Sequence, residues 1–154
     1  IGLYPFGYSG FTSYSGIDND YFTTLDGVLY SADMTKLIDY PSGSANQTFT
    51  VPSTVQTIEN YAFDSSKLTS VTIPSNVTII NNNAFYRCNS LATVTIDSAT
   101  VAATLTSKSA SGHLVGYTST VYVSESAAAS LPASFAALFT ETESEKPGYK
   151  KYTV

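Results

Sequence analysis

Tryptophan is absent from this chain, and cysteine, histidine and methionine occur once each. With Cys88 alone there can be no internal disulfide, and nothing has the Cys-x-x-Cys or Cys/His spacing of a zinc site. Metal and redox chemistry therefore lose their usual ligands, and no metal or cofactor is expected. Charge is scarce too: Asp, Glu, Lys and Arg make up 12% of the residues, about half the usual share. Seven basic against 12 acidic residues leave a net charge of −5 and no basic stripe, which excludes nucleic acid as a partner. The apolar stretches fall well short of the ~20 residues that cross a bilayer. What covers the surface instead is hydroxyl, since Ser and Thr account for 43 of 154 residues. Ile1 opens the chain without Met or a charged leader, and this start with a hydroxyl-rich surface points to a secreted fragment.

An internal repeat is the strongest signal present. Phe49 to Ile73 reads FTVPSTVQTIENYAFDSSKLTSVTI and Val71 to Ile96 reads VTIPSNVTIINNNAFYRCNSLATVTI. Val51 matches Ile73, Pro52 Pro74, Val55 Val77, Ile58 Ile80, Ala62 Ala84 and Phe63 Phe85, all at a period of 22. Beyond an inserted residue in the turn around Cys88, Leu68 matches Leu91, Val71 Val94 and Ile73 Ile96 at 23. Leu68-x-x-Val71-x-Ile73 has the spacing of a leucine-rich repeat. Val71 and Ile73 alternate with Ser70 and Thr72, so a short strand has one apolar and one hydroxyl face, and Pro74 closes it. Each coil carries several apolar edges that it cannot bury alone.

The flanks extend the pattern. Val28 to Tyr30 with Lys36 to Tyr40 reads as a β-hairpin covering the first coil, and Ile38-Asp39-Tyr40-Pro41 mimics Val71-Thr72-Ile73-Pro74. Val121-Tyr122-Val123 supplies a strand 27 residues after Val94, leaving Asp97 to Ser119 as a divergent coil. Glu125 to Phe139 is Ala-rich and helical, interrupted at Pro132, and Tyr149 to Val154 reads as a closing strand. Residues 1–21 hold an unusual density of aromatic rings among Gly and Ser, suited to covering the bare first coil or to stacking on sugar rings.

Leu68 to Leu91, LTSVTIPSNVTIINNNAFYRCNSL, resembles the BspA-like leucine-rich-repeat surface proteins, whose coils read roughly LTSVTIPxxVTxIxxxAFxxCxxL. The segment DGVLYSADMTKLIDYPSG looks like the hairpin that precedes such repeats, and STVYVSESAAASL like the strand and helix that end them. The resemblance implies a bacterial or protist protein, secreted or displayed on cells, that adheres to extracellular protein or glycan ligands.

The expected fold is a β-rich, right-handed leucine-rich-repeat solenoid with a short parallel sheet of about five strands. An N-terminal β-hairpin cap and a C-terminal helix-plus-strand cap close it. Residues 22–154 form one domain, with clear repeats over 49–96 and the C-terminal cap over 120–154, after the aromatic segment 1–21. Its function is expected to be that of a non-catalytic surface module, or else a structural spacer within a larger surface protein. A hydrolase is more distant, because no G-x-S-x-G elbow accompanies the single histidine, His113. Cys88 is expected to pack as a small hydrophobe. Asn60 and Asn82, at the repeat period, are expected to bond the next coil's backbone. Asp18-Asn19-Asp20 reads as a turn or a partial calcium loop. The expected binding face comprises Thr48 and Thr50, Ser70 and Thr72, Thr93 and Thr95, with Asp39 before them and Tyr122 after.

Overall fold

The computed structural model describes residues 10–107, 110–116 and 118–154; Tyr4, Phe6 and Tyr8 of the aromatic segment lie outside the described residues. Among the described residues, eleven short strands form two sheets that enclose one continuous apolar core. The first sheet runs β1 (Phe22–Leu25), β2 (Val28–Ser31), β3 (Lys36–Asp39), β5 (Thr57–Ile58), β7 (Ile79–Ile80) in spatial order. The second runs β10 (Thr140–Thr142), β11 (Tyr149–Thr153), β9 (Thr120–Ser124), β8 (Thr93–Ile96), β6 (Ser70–Ile73), β4 (Thr48–Thr50). Parallel pairing of β4, β6, β8 and β9 on one side, and of β3, β5 and β7 on the other, makes the chain a β-solenoid.

The repeat alignment is the observed register. Thr50 lies opposite Thr72 and Ile58 opposite Ile80, whereas Val71 lies opposite Val94 and Ile96 opposite Ile73 and Val123. Ser66 Oγ still meets Cys88 Sγ across 22 residues at 3.5 Å, so the extra residue falls just after Cys88. Alternating strands such as Thr120–Ser124 bury Val121 and Val123 and turn Thr120 and Tyr122 outward, as period 2 dictates. In each coil the corner uses left-handed residues at equivalent places, Tyr61 with Asn83 and Ser65 with Arg87. Because those corners repeat, polar links cross from coil to coil at one spacing. Thr69 Oγ1 donates to Gln47 O, Thr78 Oγ1 to Gln56 O, Asn81 Nδ2 to Glu59 Oε2 and Asn83 Nδ2 to Tyr61 Oη, each across 22 residues. The amides that stitch the coils are thus Asn81 and Asn83, flanking the expected Asn82, and their acceptors are side chains rather than backbone. Asn82 itself is exposed.

Inside, Phe63 and Phe85 stack with centroids 4.6 Å apart and planes 7° off parallel. Tyr40 continues the column at 5.3 Å from Phe63. That column corrects the reading of Ile38-Asp39-Tyr40-Pro41 as a counterpart of Val71-Thr72-Ile73-Pro74. Lys36 and Leu37 pair with Thr57 and Ile58, and Tyr40 N–H donates to Ala62 O as Phe63 N–H does to Ala84 O, both at 2.7 Å. Strand β3 therefore continues the first sheet, with Leu37 in the Ile58 column and Tyr40 at the phenylalanine position. Cys88 is fully buried, donates to Phe63 O at 3.0 Å, and burial pushes its thiol up to about 11. It packs as expected.

The ends add antiparallel strands. Beyond the hairpin β2–β3, strand β1 pairs with β2 through the Asp26-Gly27 turn, and Asn19 accepts from the N–H of Tyr21 and Phe22 in the turn before it. At the other end β11 pairs with β9, and β10 with β11. Between β8 and β9 stand α1 (Ala99–Ala103), capped by Ser98 Oγ accepting from Val101 N–H, and α2 (Ala110–His113). After β9 come α3 (Glu125–Ala128) and, following Pro132, a 3₁₀ helix (Ala133–Ala137) that buries Phe135 against Phe139 and Tyr152.

Candidate functional site

The outward positions of the second sheet stack in two rows. Thr48, Ser70, Thr93 and Thr120 form one, and Thr50, Thr72, Thr95 and Tyr122 the other. At ~4.8 Å per rung these rows run about 14 Å. Thr48 and Thr50 are exposed, and Ser70, Thr72 and Thr93 are partly so, which makes an uncharged, hydroxyl-bearing surface.

Two of the expected face residues are not part of its open surface, one misplaced and one covered. Asp39 belongs to β3 in the first sheet, so it cannot bound this ladder. It is half-buried and accepts from the Tyr14 hydroxyl at 2.5 Å. Burial raises its carboxyl to about 6, against the pull of that hydrogen bond and with help from the nearby charge of Asp64. The same contact, behind desolvation, raises the Tyr14 phenol. Thr95 is correctly in register but only 5% exposed, because the segment between β10 and β11 folds over it. Lys146 Nζ reaches Thr95 Oγ1 at 3.4 Å and sits 3.9 Å from the Tyr149 ring centroid and 5.7 Å from that of Tyr122. Tyr122 donates its hydroxyl to Glu145, which also pairs with Lys151 at 3.0 Å. The bonds from Tyr122 and Lys151 pull the Glu145 carboxyl down to about 2, and the bond to Glu145 raises the Tyr122 phenol. Half-buried Asp97 raises the Tyr149 phenol through a hydrogen bond, while its buried Oδ1 finds no partner among the described residues.

Lys146 is thus the residue that sequence reasoning missed. Its signal was the Pro147-Gly148 turn directly after it, which reverses the chain and aims the preceding side chain back at the sheet. The open part of the face is the half carried by β4, β6 and the start of β8.

Other candidates fit packing. His113 lies edge-on to Tyr86 with centroids 6.1 Å apart. Among the described residues no three His, Cys, Asp or Glu side chains are grouped to hold a metal, and no helix is long and apolar enough to cross a membrane.

The family model of the BspA type leucine rich repeat region matches residues 42–109 in six copies. Over those residues the repeats are of the BspA type. Among solved structures, the chain is similar to a leucine-rich repeat protein from Eubacterium ventriosum, with 27% identity and a TM-score of 0.40 over 52% of this chain and 28% of that one. It is also similar to the pneumococcal vaccine antigen PcpA, with 21% identity and a TM-score of 0.40 over 55% of this chain and 32% of that one. The chain spans less than a third of the length of either protein. No curated protein matches it. The matched residues hold β4 to β8 of the two parallel ladders and the 22-residue stitching, whereas β3, β9 and the antiparallel end strands lie outside them.

Proposed function

We propose that this BspA-type repeat chain is a non-catalytic interaction module, secreted or displayed on a cell surface, that adheres to a protein or glycan ligand through the open hydroxyl face. One observation carries the reading: Thr48, Thr50, Ser70, Thr72 and Thr93 are brought into register on one uncharged surface from three separate coils. Repeat proteins bind on surfaces made by stacked equivalent positions. Hydroxyls that both donate and accept suit a sugar or a peptide backbone, and little charge must be stripped of water when they are covered. Threonine also favours strands for its own sake, so the test has to separate binding from folding. Tyr122 serves the fold through Glu145 and Lys146, which leaves Thr72 as the central probe.

The purified chain would be screened against immobilised matrix proteins and a glycan array, and any ligand found titrated against Thr72→Lys. Weakening by about tenfold or more with an unchanged melting temperature is expected, since a lysine in mid-face blocks contact while leaving the core alone. Ile79→Lys, on the opposite sheet where Ile79 is 51% exposed, serves as the control and should bind normally. Equal affinity of Thr72→Lys and the parent chain would remove the face from consideration.

A further inference from the structure

Strand β4 is an edge of the second sheet. Gln47 O accepts from the N–H of Thr69 and Ser70, at 2.8 and 3.1 Å, and Val51 N–H donates to Thr72 O at 3.1 Å. Backbone groups alternate sides along a strand, so with Gln47 and Val51 turned to β6, those of Thr48 and Thr50 point away from it. At this level the first sheet is continued by the hairpin β2–β3, but no described strand pairs with β4.

A cavity of about 600 Å³ stands beside that edge. Its far wall is the segment through Thr12 and Ser13, strapped down by Gly43 N–H donating to Phe11 O at 2.8 Å and Tyr14 N–H donating to Gly27 O at 2.9 Å. The strap passes so close that a Cβ on Gly43 would lie 2.3 Å from Gly10 O. Tyr40 and Phe49, packed edge-on at 4.9 Å, give the cavity an apolar lining, and Asp26 is the one charged residue among the described residues that line it. An unpaired backbone row, an apolar surface at side-chain spacing and a single carboxylate together make a slot for an extended chain.

We propose that this slot takes an extended, basic segment of a partner protein by strand addition. The segment's backbone pairs with the N–H and C=O of Thr48 and Thr50, one apolar side chain settles on Tyr40 and Phe49, and a Lys or Arg meets Asp26. Charge favours such a partner over a second copy of this chain. Two β4 edges brought together would oppose two Asp26 residues, and the other edge of the same sheet, β10, carries Glu141 in a chain of net charge −5. The slot shares Thr48 and Thr50 with the hydroxyl face but uses their outward backbone groups and not Thr72, so Thr72→Lys tells the two readings apart.

The probe is a capped peptide of about seven residues, alternating Val and Thr and ending in Lys, with a matched peptide ending in Glu, titrated calorimetrically against the full chain. The Lys peptide should bind, and the Glu peptide about tenfold more weakly. Thr50→Pro removes the outward N–H while keeping the bonds to β6, and should weaken the Lys peptide by about tenfold or more at an unchanged melting temperature. Asp26→Asn keeps a residue that tolerates the left-handed turn, where Asp26 has φ 50°, and should erase the difference between the two peptides. Thr72→Lys should still bind the Lys peptide. The proposal is overturned if neither peptide binds at millimolar concentration or if Thr50→Pro binds like the parent. It is equally overturned if sedimentation finds a dimer that Thr50→Pro dissolves, which would make a second copy the occupant.

Discussion

Phe85 shows how much of this fold one residue can hold. Its ring stacks on Phe63, and its N–H donates to Gly112 O at 2.8 Å, tying the regular coils to the divergent one. Phe85→Ala should cost about 3 to 5 kcal/mol, read from urea unfolding, because the stacked neighbours cannot close the space. A loss below about 1 kcal/mol would mean that the column does not set the register. Asp39 makes a prediction of another kind. An unfolded aspartate gives up its proton near 3.8, whereas the folded one holds it to about 6. Between those values the folded state binds more proton, so stability falls as pH rises through the window and levels off above it. Asp39→Asn, which still offers an oxygen to Tyr14, should flatten that decline. Melting curves of parent and variant that run parallel from pH 4 to 7 would show that Asp39 does not drive it.

Within an element, register decides what a substitution does. Thr50 and Thr72 are equivalent by sequence and sit opposite one another in the sheet. Thr72, however, has β4 on the side to which its backbone groups point, while the same side of Thr50 is the open edge. Thr72→Pro should therefore cost about 3 kcal/mol or more by breaking the ladder, and Thr50→Pro close to nothing, measured by denaturant unfolding. Equal losses would mean that the edge is paired. The strands of the regular coils were legible because Val and Ile alternate with Ser and Thr over a repeated template, and even the 27-residue jump from Val94 to Val121 could be read. Strand β10 was not, since Thr140–Thr142 is wholly exposed and carries no apolar alternation. Asp39 was misplaced because Tyr40-Pro41 imitates the Ile73-Pro74 ending, a local likeness that the tyrosine ring's place in the aromatic column overrides. The closing of Thr95 was hidden for a different reason: it depends on Lys146, 51 residues away.

At the scale of the whole molecule, one cluster of buried apolar side chains runs among the described residues from Val28 to Tyr152, through the coils and into the end strands. Coils that share every apolar edge with a neighbour have no reason to melt alone. Far-ultraviolet signal from the sheets and near-ultraviolet signal from the tyrosines should accordingly fall in a single coincident transition; separated midpoints would mean that the end strands fold independently. The polar stitches have a consequence of a different order. Gln47 with Thr69, Gln56 with Thr78, Glu59 with Asn81 and Tyr61 with Asn83 are all joined across the same 22 residues. A duplication of the 22 codons for residues 62–83 would set Thr69, Thr78, Asn81 and Asn83 each over its own copy, a donor over a group that also accepts, so the gene can lengthen the protein by a whole rung and inheritance can tune its reach without redesigning its seams.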